Sequence, residues 1–276
     1  MTPSPLKTSF PLNKRMKRSI IQSLWVGNRL SVMEQLSITS FLRNGHEFHL
    51  YTYNNVSGVP EGTQIKDANE IIPERAVFTY HNGSYAGFAD WFRWALLHRK
   101  GDIWVDTDVV CLKPFIFGSN VVFGLQSEGR AAVGVLGFPP GNELCRFLEK
   151  NCGNPSRFSP YDSWKDKMKK LKKMILRKKR SEIRWGEAGG PIGFTKALEH
   201  FNLLDLAKPV RYFYPIDYLN WRTIFNDNVS DHEKIYPDSY SIHLWNEMSR
   251  KCDDFDRHGG FAENSLFEQL KSRYHC

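Results

Sequence analysis

Residues 88–115, FADWFRWALLHRKGDIWVDTDVVCLKPF, decide how this chain folds. Phe88, Trp91, Phe92, Ala95 and Leu96 make a broad apolar stripe at helical spacing that closes at Gly101, which predicts a helix. After Asp102 the run Ile-Trp-Val reads as a short, fully buried strand, and Asp106-Thr107-Asp108 stands at its C-terminal end. A helix feeding a buried strand with polar residues at its tip belongs to an α/β sheet, whose ligands bind beyond the carboxyl ends of the strands.

Working outward, residues 19–26 (SIIQSLWV) predict a strand, 30–45 a helix stopping at Asn44-Gly45, and 46–53 (HEFHLYTY) a second strand, together a β-α-β unit. Residues 54–83 are rich in Asn, Gly and Pro and read as loop. Downstream, VVFGLQ and AAVGVLGF predict a strand pair, NELCRFLEKN a helix, and GEAGGPIG a Gly-rich turn into the helix TKALEHF. The last quarter reads as two strands, VRYFYPI and SYSIHLW, and a terminal helix, AENSLFEQLKSRY.

Composition narrows the class. The chain has 276 residues, 41% hydrophobic and 25% charged, which suits a folded protein rather than a disordered tail. Five cysteines, odd in number and without a C-x-x-C, exclude a disulfide framework or zinc knuckle and point to reduced thiols in a cytosol. Residues 1–18 are polar and basic with no apolar h-region, so a flexible N-terminal segment is expected rather than a secretory signal. No run approaches the roughly 18 apolar residues of a spanning helix. The expected setting is cytoplasmic, soluble or peripheral on an inner membrane.

The net charge of +8 is local: residues 165–184 hold eleven Lys/Arg against Asp166 and Glu182, giving +9 there and −1 elsewhere. The run lacks aromatics until Trp185, so nucleic acid is not the expected partner. Trp164, Met168, Leu171 and Ile175 fall at spacings of 4, 3 and 4, while Lys165, Lys169, Lys172, Lys173 and Lys179 mostly take other faces. Such a helix suits an anionic membrane surface, and a solvated charge run is the plainer alternative.

Asp106 and Asp108, two apart on a strand, would face one side and could hold a hard divalent cation, one directly and one through water or a sugar hydroxyl. Spacing alone leaves open a polar turn, and Asp254 and Asp256 repeat the pattern in a polar stretch.

The block 88–115 resembles the signature of the DXD-containing sugar transferases of glycosyltransferase family 32 and their clostridial-toxin relatives. SLWVGNRLSVMEQLSITSFLRNGHEFHLYTY is similar to that family's first β-α-β unit, and IHLWNEMSR to its C-terminal His block. The resemblance covers most of residues 20–250. It implies a GT-A-like α/β fold, a single Rossmann-type nucleotide-sugar domain over 19–276 with a mixed, mostly parallel sheet; residues 153–185, outside the resemblance, read as a basic helical insertion.

It also implies roles. Trp25 would stack on the nucleotide base, against a core Trp as the plainer reading; stacking is worth about 1–3 kcal/mol. Asp90 and Arg93 would contact the donor sugar and diphosphate, where i, i+3 spacing alone predicts only a helix ion pair. His243 would complete the metal shell with Asp106 and Asp108, and an imidazole among oxygens favours Mn²⁺ over Mg²⁺. A hydrogen-bonded core histidine is the alternative. Trp245 and Asn246 would close over the diphosphate.

The expected reaction moves a sugar from a nucleotide-sugar, a UDP-sugar first, to a glycan or glycolipid hydroxyl with retention, in bacterial surface polysaccharide synthesis. An inverting enzyme would need a base such as Glu187, Asp217 or Glu247. Glu187-Ala188-Gly189-Gly190-Pro191 could turn N–H groups toward an anion, or be an ordinary helix start. Sequons at Asn55, Asn82 and Asn228 would permit glycosylation, but no anchor for a lumenal location is read. Two rival classes stay open: a metal-dependent phosphoesterase, and a basic RNA- or membrane-binding module.

Overall fold

The computed structural model describes residues 19–183, 186–226, 236–256 and 259–276; the expectations for residues 1–18, Trp185 and Asn228 lie outside these. β1 (Ile21–Trp25), α1 (Val32–Arg43) and β2 (Phe48–Thr52) form the expected β-α-β unit. Ser31 caps α1: its side chain accepts from the Met33 N–H while Glu34 accepts from the Ser31 N–H. Beside β2 runs β3 (Gln64–Asp67), parallel to it and inside the stretch that reads as loop.

α2 (Ala86–Lys100) leads into β4 (Asp102–Val105), then β5 (Val109–Cys111), β6 (Val122–Ser127) and β7 (Arg130–Phe138). The central six-stranded sheet has the order β3-β2-β1-β4-β7-β6. The first four strands are parallel, and β7 and β6 continue antiparallel. The order reverses between β1 and β4, the switch point at which open α/β sheets leave a crevice. This is the mixed, mostly parallel α/β architecture expected of a GT-A-like fold.

Alternation along β4 builds both layers of the core. Ile103 and Val105 pack with Ile38, Phe41 and Phe48 under α1. Trp104 packs on the other face with Phe92, Leu97, Leu148 and Phe194. That face is covered by α2, α3 (Glu143–Gly153) and, beyond α4 (Trp164–Ile175), α5 (Pro191–His200). Each such buried ring or aliphatic side chain is worth about 1.5–3 kcal/mol.

The chain after α5 contains a short helix, α6 (Val210–Phe213), where VRYFYPI reads as a strand. Strand-like pairing stops one step earlier, at Lys208, which exchanges hydrogen bonds with Phe123 and Leu125 of β6. Pro209 has no N–H to continue the ladder and its fixed φ starts a helical turn instead. β8 (Ser241–His243) pairs antiparallel with β5, setting His243 opposite Val109, and α7 (Asn246–Arg250) follows. The terminal helix α8 (Leu266–Tyr274) buries Leu266, Phe267 and Leu270 against Leu36, Val110, Ile242 and Leu244. Among the described residues no helix is long and apolar enough to cross a membrane.

Candidate active site

Asp106 and Asp108 lie in the turn between β4 and β5, closed by the Val109 N–H donating to the Asp106 carbonyl at 3.0 Å. The expectation that a strand pleat aims both carboxylates is corrected: the turn brings them together. Pairing of β8 with β5 delivers His243 beside them, and ligand atoms of Asp106, Asp108 and His243 all lie within 4.8 Å of one another. Two carboxylates and an imidazole at that spacing fit a borderline divalent ion.

Each group is held by its neighbours. The Trp104 indole donates to Asp106 Oδ1 at 2.8 Å, and the Arg93 guanidinium stands 3.2 Å from the same oxygen and 3.4 Å from Asp90 Oδ1. Arg93 also donates to the Val133 carbonyl at 2.6 Å and lies over the Trp104 ring. Asp108 accepts the Asn246 N–H at 2.8 Å on Oδ2, and its Oδ1 is 3.5 Å from His243 Nε2.

Trp245 adopts left-handed backbone angles, φ 55° and ψ 44°, a conformation that costs a non-glycine residue energy. The turn aims two successive amides inward: Trp245 N–H at His243 Nδ1, 3.1 Å, and Asn246 N–H at Asp108. Nδ1 therefore accepts, and a neutral imidazole carries its proton on Nε2. Ligation through Nε2 would shift that proton to Nδ1 and cost the Trp245 bond. The Trp245 ring packs on the imidazole with centroids 4.2 Å apart.

Asp90, Arg93, Asp108 and His243 are all buried, and burial raises the Asp90 carboxyl to about 7. The Asp106 charge adds to that rise, and Arg93 opposes it. These groups, with Asp106, Tyr214, Tyr218, Trp245, Glu247 and the β6–β7 turn, line a cavity of about 590 Å³. Among the described residues this is the one cluster of three or more His, Cys, Asp or Glu side chains placed to hold a metal. A phosphoesterase built on a pair of metals would need a second.

Comparison with known proteins agrees with the geometry. Residues 196–276 match the model of the alpha 1,4-glycosyltransferase conserved region, a span that contains His243, Trp245 and Asn246. The human protein named alpha-1,4-N-acetylglucosaminyltransferase is 26% identical over 220 residues, 76% of this chain and 58% of its own length. Both matches support a glycosyltransferase of the family 32 type. The chain thus spans under two thirds of that curated relative. A solved structure, the PaToxG glycosyltransferase, superposes with a TM-score of 0.46 at 14% identity, covering 68% of this chain and 74% of that one.

Within this site the expected residues divide. Asp90, Arg93, Asp106, Asp108, His243 and Trp245 line the one cavity. Trp25 ends β1 outside it, with its Nε1 buried and lacking a hydrogen-bond partner. A neighbouring hollow of about 380 Å³, between Val26, Gly27, Tyr53 and Tyr85, opens at the ends of β1 and β2. Asn246 does not face the cavity; its side chain donates to buried Glu34 at 2.9 Å, so it braces the turn. Glu187 pairs with Lys173 at 3.1 Å, and of Glu187, Asp217 and Glu247 only Glu247 lines the cavity.

Sequence reading missed Trp104, Glu34, Tyr214 and Gly134. Tyr214 accepts the Val135 N–H at 2.9 Å inside the cavity wall. A Cβ on Gly134 would stand 3.1 Å from the His243 ring and 3.2 Å from the Tyr214 hydroxyl, so glycine lets β7 approach the imidazole. The signal for Trp104 and Gly134 was their place in strands flanking the Asp pair; Tyr214 and Glu34 carried none.

Proposed function

We propose that this protein transfers a sugar from a nucleotide-sugar donor, a UDP-sugar, to a hydroxyl of a glycan or lipid-linked glycan. The carrying observation is the convergence of Asp106, Asp108 and His243 within 4.8 Å on the same cavity as Asp90 and Arg93, beside the sheet's switch point. These three residues would hold Mn²⁺, which when bound neutralises the diphosphate leaving group as a Lewis acid. Arg93 is pre-set by Asp90, Asp106 and the Val133 carbonyl, so its charge meets the departing phosphate without reorganising. Asp90 is placed to bind sugar hydroxyls. The hollow between Val26, Gly27, Tyr53 and Tyr85, next in the chain to Trp25, supports a nucleoside seat at the end of β1.

Retention is the favoured stereochemistry. Glu247, the one of the three candidate bases that lines the cavity, already has its carboxylate engaged by Arg250 and Lys251 at 3.0 and 3.2 Å rather than left open to an acceptor hydroxyl. The setting proposed is assembly of a bacterial surface glycan at an inner membrane. Incubation with Mn²⁺ and a panel of UDP-glucose, UDP-galactose, UDP-N-acetylglucosamine and GDP-mannose tests the reading. Metal-dependent release of free nucleoside diphosphate and sugar from one donor is expected. Release of phosphate from simple esters, with every donor intact, would instead favour the phosphoesterase. The relative's name makes N-acetylglucosamine the first sugar to try.

A further inference from the structure

Helix α4 (Trp164–Ile175) lies on the protein inside out. At about 100° per residue, Asp166, Lys170 and Lys173 fall on one face and Trp164, Met168, Leu171 and Ile175 on the opposite one. The charged face is the one turned to the body. Lys170 reaches Asp162 at 2.8 Å, with side chains only 13% and 4% exposed, Lys173 reaches Glu187 at 3.1 Å, and Asp166 pairs with Lys196 at 3.8 Å. Beyond the helix, Arg180 donates to the Gly153 carbonyl at 2.9 Å and lies over the Trp91 ring. The segment is thus tied to the body on its polar side and again past its C-terminal end.

The apolar face is left to solvent: Trp164 is 76% exposed and Ile175 72%, with Met168, Leu171, Met174, Leu176 and nearby Phe158 also exposed. No residue of α4 is buried. Lys165 and Lys172 rim the stripe on one side and Lys167 on the other, within a segment of net +9. A contiguous aliphatic and indole stripe on a soluble surface marks an interaction site. Its basic rim selects an occupant that is apolar just beneath a negatively charged skin. A nucleic acid offers the charge without aliphatic depth to receive Met168, Leu171 and Ile175.

We infer that α4 is an interfacial helix that seats the protein, stripe down, on an anionic lipid bilayer. The indole and aliphatic side chains enter the headgroup boundary while the lysines meet acidic headgroups. The same helix holds Glu187 through Lys173, in the segment that leads to Pro191 in the wall of the cavity, so the bound surface lies on a direct chain of contacts to the site. The inference stands on the helix alone and survives whatever reaction the cavity performs.

Vesicle flotation of the full chain tests it. Vesicles of mixed phosphatidylcholine and phosphatidylglycerol should carry the protein to the top fraction, and pure phosphatidylcholine should bind it at least about tenfold more weakly. Trp164→Ser with Ile175→Ser, both exposed, should keep the native circular dichroism and thermal midpoint while weakening binding to the anionic vesicles about tenfold. Brominated acyl chains should quench tryptophan fluorescence of the native chain but not that added fraction in Trp164→Phe. Failure to float with anionic vesicles would overturn the inference. So would flotation indifferent to the double substitution, which would reduce the surface to a charge patch, or burial of the stripe in a stable dimer of this chain.

Discussion

Asp108 is gripped by the chain it serves: the Asn246 N–H holds one carboxylate oxygen, the Leu244 N–H holds its carbonyl, and the His243 imidazole faces the other carboxylate oxygen. Asp108→Asn keeps the size and one acceptor oxygen, so the fold should persist while the charge that attracts a cation is lost. Calorimetry with UDP and Mn²⁺ should show affinity lowered about 10–100-fold; an unchanged value would remove Asp108 from the metal set. Asp90 makes a different prediction. Its carboxyl is raised from 3.8 to about 7, so the folded chain keeps a proton there that the unfolded chain has already released. This contribution to stability is fully present below the unfolded value and is lost as pH rises through the folded one. Relative to Asp90→Asn, the native protein's thermal midpoint should therefore decline as pH climbs from about 4 to about 7; parallel curves for the two proteins would contradict the burial that causes the shift. At this scale much of the site could be seen beforehand, because Asp106 and Asp108 stand together at the end of an apolar run. Tyr214 and Glu34 could not, since a buried tyrosine and a cap glutamate look the same wherever they pack.

The helices are coupled through close approaches that leave no room for side-chain growth. Gly190 caps α5 with ordinary negative φ, so its backbone angles would tolerate alanine. A Cβ there would stand 2.7 Å from Asp90 Oδ2 on α2 and 2.6 Å from the Gly186 Cα. Gly190→Ala should cost about 1–3 kcal/mol of stability through overpacking. It should also slow Mn²⁺-dependent donor hydrolysis by displacing Asp90; a variant with full rate and native thermal midpoint would show that α5 yields freely. This explains the GEAGGPIG turn better than an anion nest does, since helix contact accounts for Gly190. Elements with a buried face were legible: α1, α2 and α3 each show an apolar period matching their packing, and β7 is an uninterrupted apolar run buried on both faces. β3 was not, because QIKD is mostly exposed and joins the sheet through its backbone pairing with β2. For VRYFYPI, which reads as a strand, Pro209 ends the pairing and starts a helical turn instead.

On the scale of the whole molecule, the site is a closure between distant parts of the chain. The Asp pair leaves the central sheet at β4, whereas His243 arrives on β8 in the separate two-stranded sheet, held by the core under α1 and α8. An unfolded chain cannot present these ligands together, so metal should bind the native state alone and stabilise it by mass action. With Mn²⁺ at about 100 times its dissociation constant the gain is about 2.7 kcal/mol. For a chain of this size that is a rise of roughly 5–10 °C in the thermal midpoint, reversed by chelator. No shift in a scan with and without Mn²⁺ would count against the cluster as a metal site. The basic helix shows the limit of pattern reading most plainly. Its amphipathic period was evident from Trp164, Met168, Leu171 and Ile175, but a period says only that two faces differ. Which face meets the body depends on partners outside the helix, here Asp162, Glu187 and Lys196, whose ion pairs turn Lys170, Lys173 and Asp166 inward. Local order followed from side-chain periodicity, caps and prolines, which act between near neighbours and so can be read in line. The meeting of Asp106 and Asp108 with His243, the bracing of the Trp245 turn by Glu34 and the inverted seat of α4 all depend on strand pairing and packing between segments far apart, and no local pattern encodes a contact whose other half lies elsewhere in the chain.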